Sequence, residues 1–290
     1  MPELPEVEGV VRALQPVVTG KVIRHVQVSN TICTSINEGK ACIIKGMDPE
    51  IFSDALGNMK IKEIKRRSKY IFFYLNKNDI DYVLVNHLGM TGAWFHVHSL
   101  NEITESKFQK HIHIVLTFEE DEFLVYADIR RFGEMRLLHS IEEFPPLLEI
   151  APEPFSEEAL PHFLTISNMP KYANKPVKEV IMDGHVIAGC GNIYATESLF
   201  RMKIHPARKI SRISEKRKTE LFRTIVAILQ ESIDIGGSSI SDYRNINGEA
   251  GGMQNRLQMY GKKACPICHT NTKQMVISGR NSVYCPKCQH

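Results

Sequence analysis

The residues with the plainest chemical potential stand at the start of the chain. In MPELPEVE the second residue is proline, and an initiator methionine is ordinarily removed before so small a residue, which leaves Pro2 with a free secondary amine. An α-amine titrates near 8, so on the order of 10% of it is unprotonated at neutral pH, against well under about 1% of a lysine. Such an amine is a ready nucleophile for Schiff-base chemistry. Glu3 and Glu6 lie beside it and can serve as general acid and positioning group. The same carboxylates satisfy the ordinary preference for negative charge at a helix N-terminus, and residue types alone favour that plainer account.

A second chemical group lies at the other end. Of seven cysteines, Cys33, Cys42 and Cys190 are scattered, whereas Cys265, Cys268, Cys285 and Cys288 form two CxxC pairs separated by 16 residues. An odd count with this pairing reads as free thiols plus one four-thiolate zinc site on a short β-hairpin, not as a disulfide framework. Four protein ligands leave no position for water, so the expected zinc ion is structural. Arg280, in SGRNSVYCPKC, falls inside that hairpin. It can fork onto a phosphate or simply be solvated, and spacing does not choose between the two.

These groups need elements to hold them. PEVEGVVRALQPVVTG carries Val7, Val11, Leu14 and Val18 at helical spacing, so a helix is predicted almost from the first residue. Strands are predicted in YIFFYL (70–75), YVLVNHL (82–88), HIHIVLTF (111–118) and EFLVYA (122–127). Five of the 14 prolines fall in 145–161, which disfavours helix interiors and central strands and marks a linker. Helices are predicted over NIYATESLF (192–200) and from 214 to 235, where Leu221, Phe222, Ile225, Ile228, Leu229 and Ile233 form one stripe. The glycine- and asparagine-rich stretch 241–254 reads as a loop. The expected fold class is α+β, with a β-sandwich domain with a leading helix at 1–144, the linker at 145–161, a helical domain at 162–254 and a zinc finger at 255–290.

Composition bounds the rest. With 290 residues, 43% hydrophobic and 24% charged, the chain can bury two cores. It has no apolar run near the roughly 20 residues that span a bilayer, nor a signal-like start, so a cytosolic protein without a membrane partner is expected. The net charge of +3 is modest, but 60–69 carries six basic residues against Glu63 alone, and 250–290 carries six with no Asp or Glu. Such patches can line a phosphate-binding groove, although charge runs are more often solvated faces.

Read in order, PELPEVE (2–8), RRSKY (66–70), HLGMTG (87–92), DIRRFGE (128–134), IAPEPFS (150–156), VIMDGHVIAGCGNIYATESLF (180–200), INGEAGGMQ (246–254), QMYGKKACPIC and GRNSVYCPKCQ resemble the formamidopyrimidine-DNA glycosylase family, the helix-two-turn-helix glycosylases. The resemblance implies a monomeric enzyme that binds damaged double-stranded DNA between two domains. It would excise 8-oxoguanine and formamidopyrimidines opposite cytosine and nick the resulting abasic site. Pro2 would attack C1′ of the damaged nucleotide and Glu3 would protonate the sugar ring oxygen. Lys69, Asn192 and Arg280 match positions that grip phosphates around the extruded nucleotide, Lys69 being grouped with the catalytic residues. Lys178 matches a lysine near the lesion. Met90, Arg130 and Phe132 match the side chains that fill the vacated stack, and the 241–254 loop resembles a segment that folds over an everted purine.

Three departures keep other lesions open. Ile129 stands where the family usually has proline, Ile112 where it usually has aspartate, and Gly184 where it often has glutamine. Ile129 is expected to relax the backbone that aims Arg130, and Gly184 to affect the lesion pocket. A paralogue directed at alkylated purines, a member of the oxidised-pyrimidine branch and a non-catalytic lesion binder are the alternatives. The ELPEVE start argues against the pyrimidine branch, and retention of Pro2, Glu3 and Lys69 argues against the last.

Overall fold

The structure is a computed structural model and describes residues 1–39, 42–119, 121–238 and 251–290. The chain divides into two units, Met1–Leu148 with Gly236–Gly251, and Glu149–Ile235 with Gly252–His290.

The first unit opens with helix α1 (Leu4–Val18), which has Pro5 in its first turn, where a missing N–H costs nothing. Val7, Val11, Leu14 and Val18 are buried on one face, as their spacing predicts. There follow β1 (His25–Val28), α2 (Asn30–Asn37), α3 (Pro49–Leu56), β2 (Lys60–Arg67), β3 (Tyr70–Lys77), β4 (Ile80–His87), β5 (Gly92–Val97), α4 (Ser106–Gln109), β6 (Ile112–Thr117), β7 (Phe123–Asp128) and β8 (Glu134–Leu138). The strands form two antiparallel four-stranded sheets, β2-β3-β4-β8 and β1-β6-β7-β5.

Alternation sends Ile71, Phe73 and Leu75 from one sheet, and Ile114, Leu116, Leu124 and Tyr126 from the other, into one core with α1. Burying each such side chain contributes about 1.5–3 kcal/mol. The outer face of the second sheet carries a smaller cluster, Phe95, Val97, Val115 and Val125 under Phe108 and Ile103. This unit is therefore a β-sandwich with a leading helix.

Four strands fall where the sequence predicts them. β2 does not read as a strand because its register shifts between Ile61 and Glu63, so the inward residues Ile61 and Ile64 break the two-residue period. The basic run 60–69 is largely this strand, with its lysines on the open face.

The second unit is helical: α5 (Ala159–Ser167), α6 (Val177–Met182), α7 (Asn192–Arg201) and α8 (Glu215–Asp234), then the hairpin β9 (Lys273–Ile277) and β10 (Arg280–Tyr284). The six apolar residues predicted on one stripe of α8 are all buried. Glu197 of α7, wholly buried, accepts backbone hydrogen bonds from Gln258, Met259 and Tyr260 at 2.8, 2.9 and 2.7 Å. One carboxylate thus fastens the segment that enters the cysteine module. Most of the loop predicted at 241–254 lies outside the described residues. Among the described residues no helix is long and apolar enough to cross a membrane.

Candidate functional site

In the first unit Pro2 is buried immediately ahead of α1. Glu3 is the N-cap residue and Glu6 the third residue of the helix. The Glu6 carboxylate accepts the Glu3 N–H at 2.8 Å and, with its other oxygen, the Ser238 N–H at 2.7 Å. A charge at this point complements the helix N-terminus. Glu6 therefore fixes the backbone beside Pro2. It also receives the chain at Gly237, whose φ of +79° and 3.1 Å approach of its Cβ position to Glu6 Oε1 suit glycine.

Glu8, two residues further on, accepts from Arg66 Nε at 2.7 Å, and Arg66 Nη1 donates to the Ser68 carbonyl at 3.0 Å. The helix is thus tied to the β2–β3 turn that presents Lys69. Tyr70 pairs with His87 across β3 and β4, and their rings lie 5.0 Å apart. The His87 imidazole is pushed down to about 4, first by burial and then by the positive charges of Lys69 and the chain's N-terminal amine, against the pull of Glu134. It is neutral at pH 7, and its Nδ1 accepts the Gly89 N–H at 3.1 Å.

Met90, Arg130 and Phe132 come together. Arg130 Nη1 is 3.1 Å from Met90 Sδ, and the guanidinium carbon is 4.7 Å from the Phe132 ring centre. Phe132 is 53% exposed, a large apolar ring left in water beside a cation. Gly89 brings the two loops into contact, since a Cβ there would lie 2.4 Å from the Phe132 carbonyl carbon. Between these loops Thr91 Oγ1 donates to Asp128 Oδ1 at 2.6 Å, and the Gly133 N–H reaches Asp128 Oδ2 at 2.8 Å. The departures Ile112 and Ile129 both pack against the Phe95–Phe108 cluster, so Ile129 anchors the strand end ahead of Arg130 by burial.

In the second unit Lys178 is buried and its Nζ donates to Thr196 Oγ1 and Ser282 Oγ, each at 2.9 Å. Thr196 Oγ1 in turn donates to the Asn192 carbonyl at 2.7 Å, and Ser282 Oγ to the Arg280 carbonyl at 3.3 Å. Lys178 thus joins the backbones of Asn192 and Arg280. Asn192 opens α7 behind Gly191, and its Oδ1 is buried without a hydrogen-bond partner. Arg280 is exposed at the mouth of the hairpin, next to the turn at Ser278 and Gly279. Gly184 is exposed, with open space where a side chain would stand.

The four cysteine sulfurs lie within 4.8 Å of one another, with Cys265–Cys288 at 3.9 Å and Cys268–Cys285 at 3.5 Å. Tetrahedral zinc with Zn–S bonds of about 2.3 Å requires sulfurs about 3.8 Å apart, so this set can hold such an ion.

Sequence reasoning missed Glu8, Arg66, His87, Thr91, Asp128, Thr196 and Ser282. The signal lay in the motifs themselves, because Thr91 and Asp128 sit within HLGMTG and DIRRFGE and Thr196 and Ser282 beside Asn192 and Arg280.

A β-sandwich with a buried proline ahead of its first helix, joined in one chain to a helical domain with a four-cysteine hairpin, defines a helix-two-turn-helix protein. The formamidopyrimidine-DNA glycosylase N-terminal domain matches residues 1–135 and the H2TH domain of the same enzymes matches 150–244. The chain belongs to the formamidopyrimidine-DNA glycosylase family. It is 38% identical over 293 residues to formamidopyrimidine-DNA glycosylase of Bacillus cereus (strain ATCC 14579), covering 100% of this chain and 99% of that one. Among solved structures it is similar to the MutM (Fpg) protein of Thermus thermophilus, with a TM-score of 0.81, 33% identity and coverage of 99% and 98%. It is also similar to wild-type Lactococcus lactis Fpg in complex with an oxidized pyrimidine containing DNA, with a TM-score of 0.81, 31% identity and 99% coverage of both chains.

Proposed function

We propose that this chain is a bifunctional DNA glycosylase and abasic-site lyase that removes oxidised purines from duplex DNA, with the amine of Pro2 as nucleophile. The observation that carries the reading is the seat of Pro2: buried, directly ahead of a helix whose first turn is fixed by Glu6. Removal of Met1 turns its ring nitrogen into a secondary amine. That amine attacks C1′ of the damaged nucleotide, and the C1′–N bond breaks with its electron pair leaving on the base, which takes up a proton. Glu3 protonates the ring oxygen as the sugar opens. The iminium so formed acidifies the C2′ hydrogens, and the flanking phosphates leave by successive eliminations.

Lys69, Asn192 and Arg280 hold backbone phosphates in this reading, and affinity falls as salt rises. Lys178 acts from within, by holding the residues that carry Asn192 and Arg280. Met90, Arg130 and Phe132 occupy the gap left by the extruded nucleotide. The zinc ion is structural, since all four ligands are protein thiolates. The protein works as a monomer on damaged double-stranded DNA.

Complexes of a related protein include more than one kind of lesion. Lactococcus lactis Fpg has been solved with an oxidized pyrimidine containing DNA and, as a mutant, with a Fapy-dG containing DNA. The test is borohydride trapping on matched duplexes carrying 8-oxoguanine opposite cytosine, 5-hydroxyuracil, an alkylated purine or an abasic site. A covalent adduct on 8-oxoguanine that disappears in Pro2→Gly supports the proposal. Trapping at the abasic site alone assigns the lyase chemistry but a different lesion, and undiminished trapping in Pro2→Gly moves the nucleophile to a lysine.

A further inference from the structure

Both loops that carry Met90, Arg130 and Phe132 cross from one sheet of the sandwich to the other. One leaves β4 and enters β5, the other leaves β7 and enters β8, and β4 pairs with β8 while β5 pairs with β7. The paired residues His87 with Glu134 and Gly92 with Asp128 close the two crossovers into a frame. Inside it no ladder continues, so residues 88–91 and 129–133 depend on other bonds for their conformation.

Those bonds converge on one carboxylate. Asp128 is wholly buried. Its Oδ1 accepts the Thr91 hydroxyl at 2.6 Å and the Arg130 N–H at 3.2 Å, and its Oδ2 accepts the Gly133 N–H at 2.8 Å. The Thr91 oxygen also accepts the Arg130 N–H, at 2.9 Å. Thr91 directly follows Met90, and Arg130 and Gly133 bracket Phe132. Arg131, at φ +56°, is held in a left-handed conformation between these two bonded N–H groups. Such a conformation in a residue with a side chain persists only where its neighbours are fixed.

We infer that Asp128 and Thr91 form a clasp that positions Met90, Arg130 and Phe132 as one body, and that this clasp sets the enzyme's dependence on the base opposite the lesion. The inference rests on the function proposed above for these three side chains. Neither Asp128 nor Thr91 touches DNA in this account. Each acts through the backbone of the residues that do, by satisfying N–H groups that would otherwise turn to water and let the loops separate.

Thr91→Val keeps the shape and removes the hydroxyl, and Asp128→Asn replaces one acceptor by a donor that meets either the Gly133 or the Arg130 N–H. Single-turnover excision of 8-oxoguanine opposite cytosine and opposite adenine, and nicking of a pre-formed abasic site, are measured beside thermal melts. The expected result is a loss of opposite-base discrimination of about ten-fold, with excision from the duplex falling at least about ten-fold more than abasic-site nicking. A wild-type discrimination ratio in folded Thr91→Val overturns the clasp, as does an equal loss of excision and nicking in both variants. If Asp128→Asn does not fold, Thr91→Val alone decides. A wild-type protein inactive on 8-oxoguanine removes the proposed lesion instead, and the clasp is then read by 2-aminopurine fluorescence opposite a tetrahydrofuran abasic-site analogue. Unstacking by the wild type that is lost in Thr91→Val supports it, and equal unstacking overturns it.

Discussion

The Lys178 ammonium and the Ser282 hydroxyl stand 2.9 Å apart, and this contact joins helix α6 to the second strand of the cysteine hairpin. Through Ser282 it reaches the carbonyl of Arg280, and through Thr196 that of Asn192. Ser282→Ala removes one acceptor from a buried cation and the restraint on Arg280. DNA affinity is expected to fall by about three- to ten-fold, alike for damaged and undamaged duplexes, with a lowered melting temperature. Fluorescence anisotropy at fixed salt measures it, and unaltered affinity would detach Arg280 from the network.

Metal removal is expected to act on the same relay. The hairpin has few buried apolar side chains of its own, chiefly Ile277 and Val283, so its strands depend on the thiolate site formed by the cysteines that flank them. Cys285→Ser, or a chelator, is expected to release zinc, unpair Ser282 from Lys178 and weaken DNA binding at every lesion. Atomic absorption together with a binding isotherm checks this, and a zinc-free protein of full affinity would contradict it.

His87 supplies a pH signature. Its folded ring titrates at about 4, against 6.5 for an ordinary histidine, so between those values the unfolded chain binds more protons. Stability therefore rises with pH across 4 to 6.5 and is lost as pH falls through that window, by on the order of 2 kcal/mol. Asn in place of His87 keeps an acceptor for Gly89 and cannot titrate. Urea midpoints at about pH 4.5 and pH 7 are expected to differ less in His87→Asn than in the wild type; an equal difference assigns the slope to other groups.

Gly237 tests the seat of the proposed nucleophile without touching it. Gly237→Ala adds a methyl at a positive φ, 3.1 Å from Glu6 Oε1 and 3.3 Å from Glu6 Cα. A destabilisation of about 1–2 kcal/mol is expected, with slower borohydride trapping because Glu6 no longer holds the Glu3 N–H. A melting curve and a trapping time course separate the two effects. A lowered melting temperature without a change in trapping would free Pro2 from dependence on Glu6.

Much of this molecule is written in short stretches of sequence. Two CxxC pairs 16 residues apart, a proline behind the initiator methionine and the apolar stripe of α8 each depend on neighbours within a few turns of chain, so residue type and spacing suffice to read them. β2 escapes that reading because a register shift between Ile61 and Glu63 interrupts its alternation. Ile112 and Ile129 read only as departures that leave other lesions open, yet both pack against one apolar cluster, because burial depends on which sheet face they occupy.

What sequence alone supplied was the set of candidates: the Pro2 amine, the carboxylates Glu3 and Glu6, four paired cysteines and the side chains that the family resemblance assigns to DNA. What only the tertiary structure decided was how those groups are held. Thr91 meets Asp128 across 37 residues, Arg66 meets Glu8 across 58 and Lys178 meets Ser282 across 104. Contacts of such separation arise from strand pairing and helix packing over the whole chain, and no local pattern of residues specifies them.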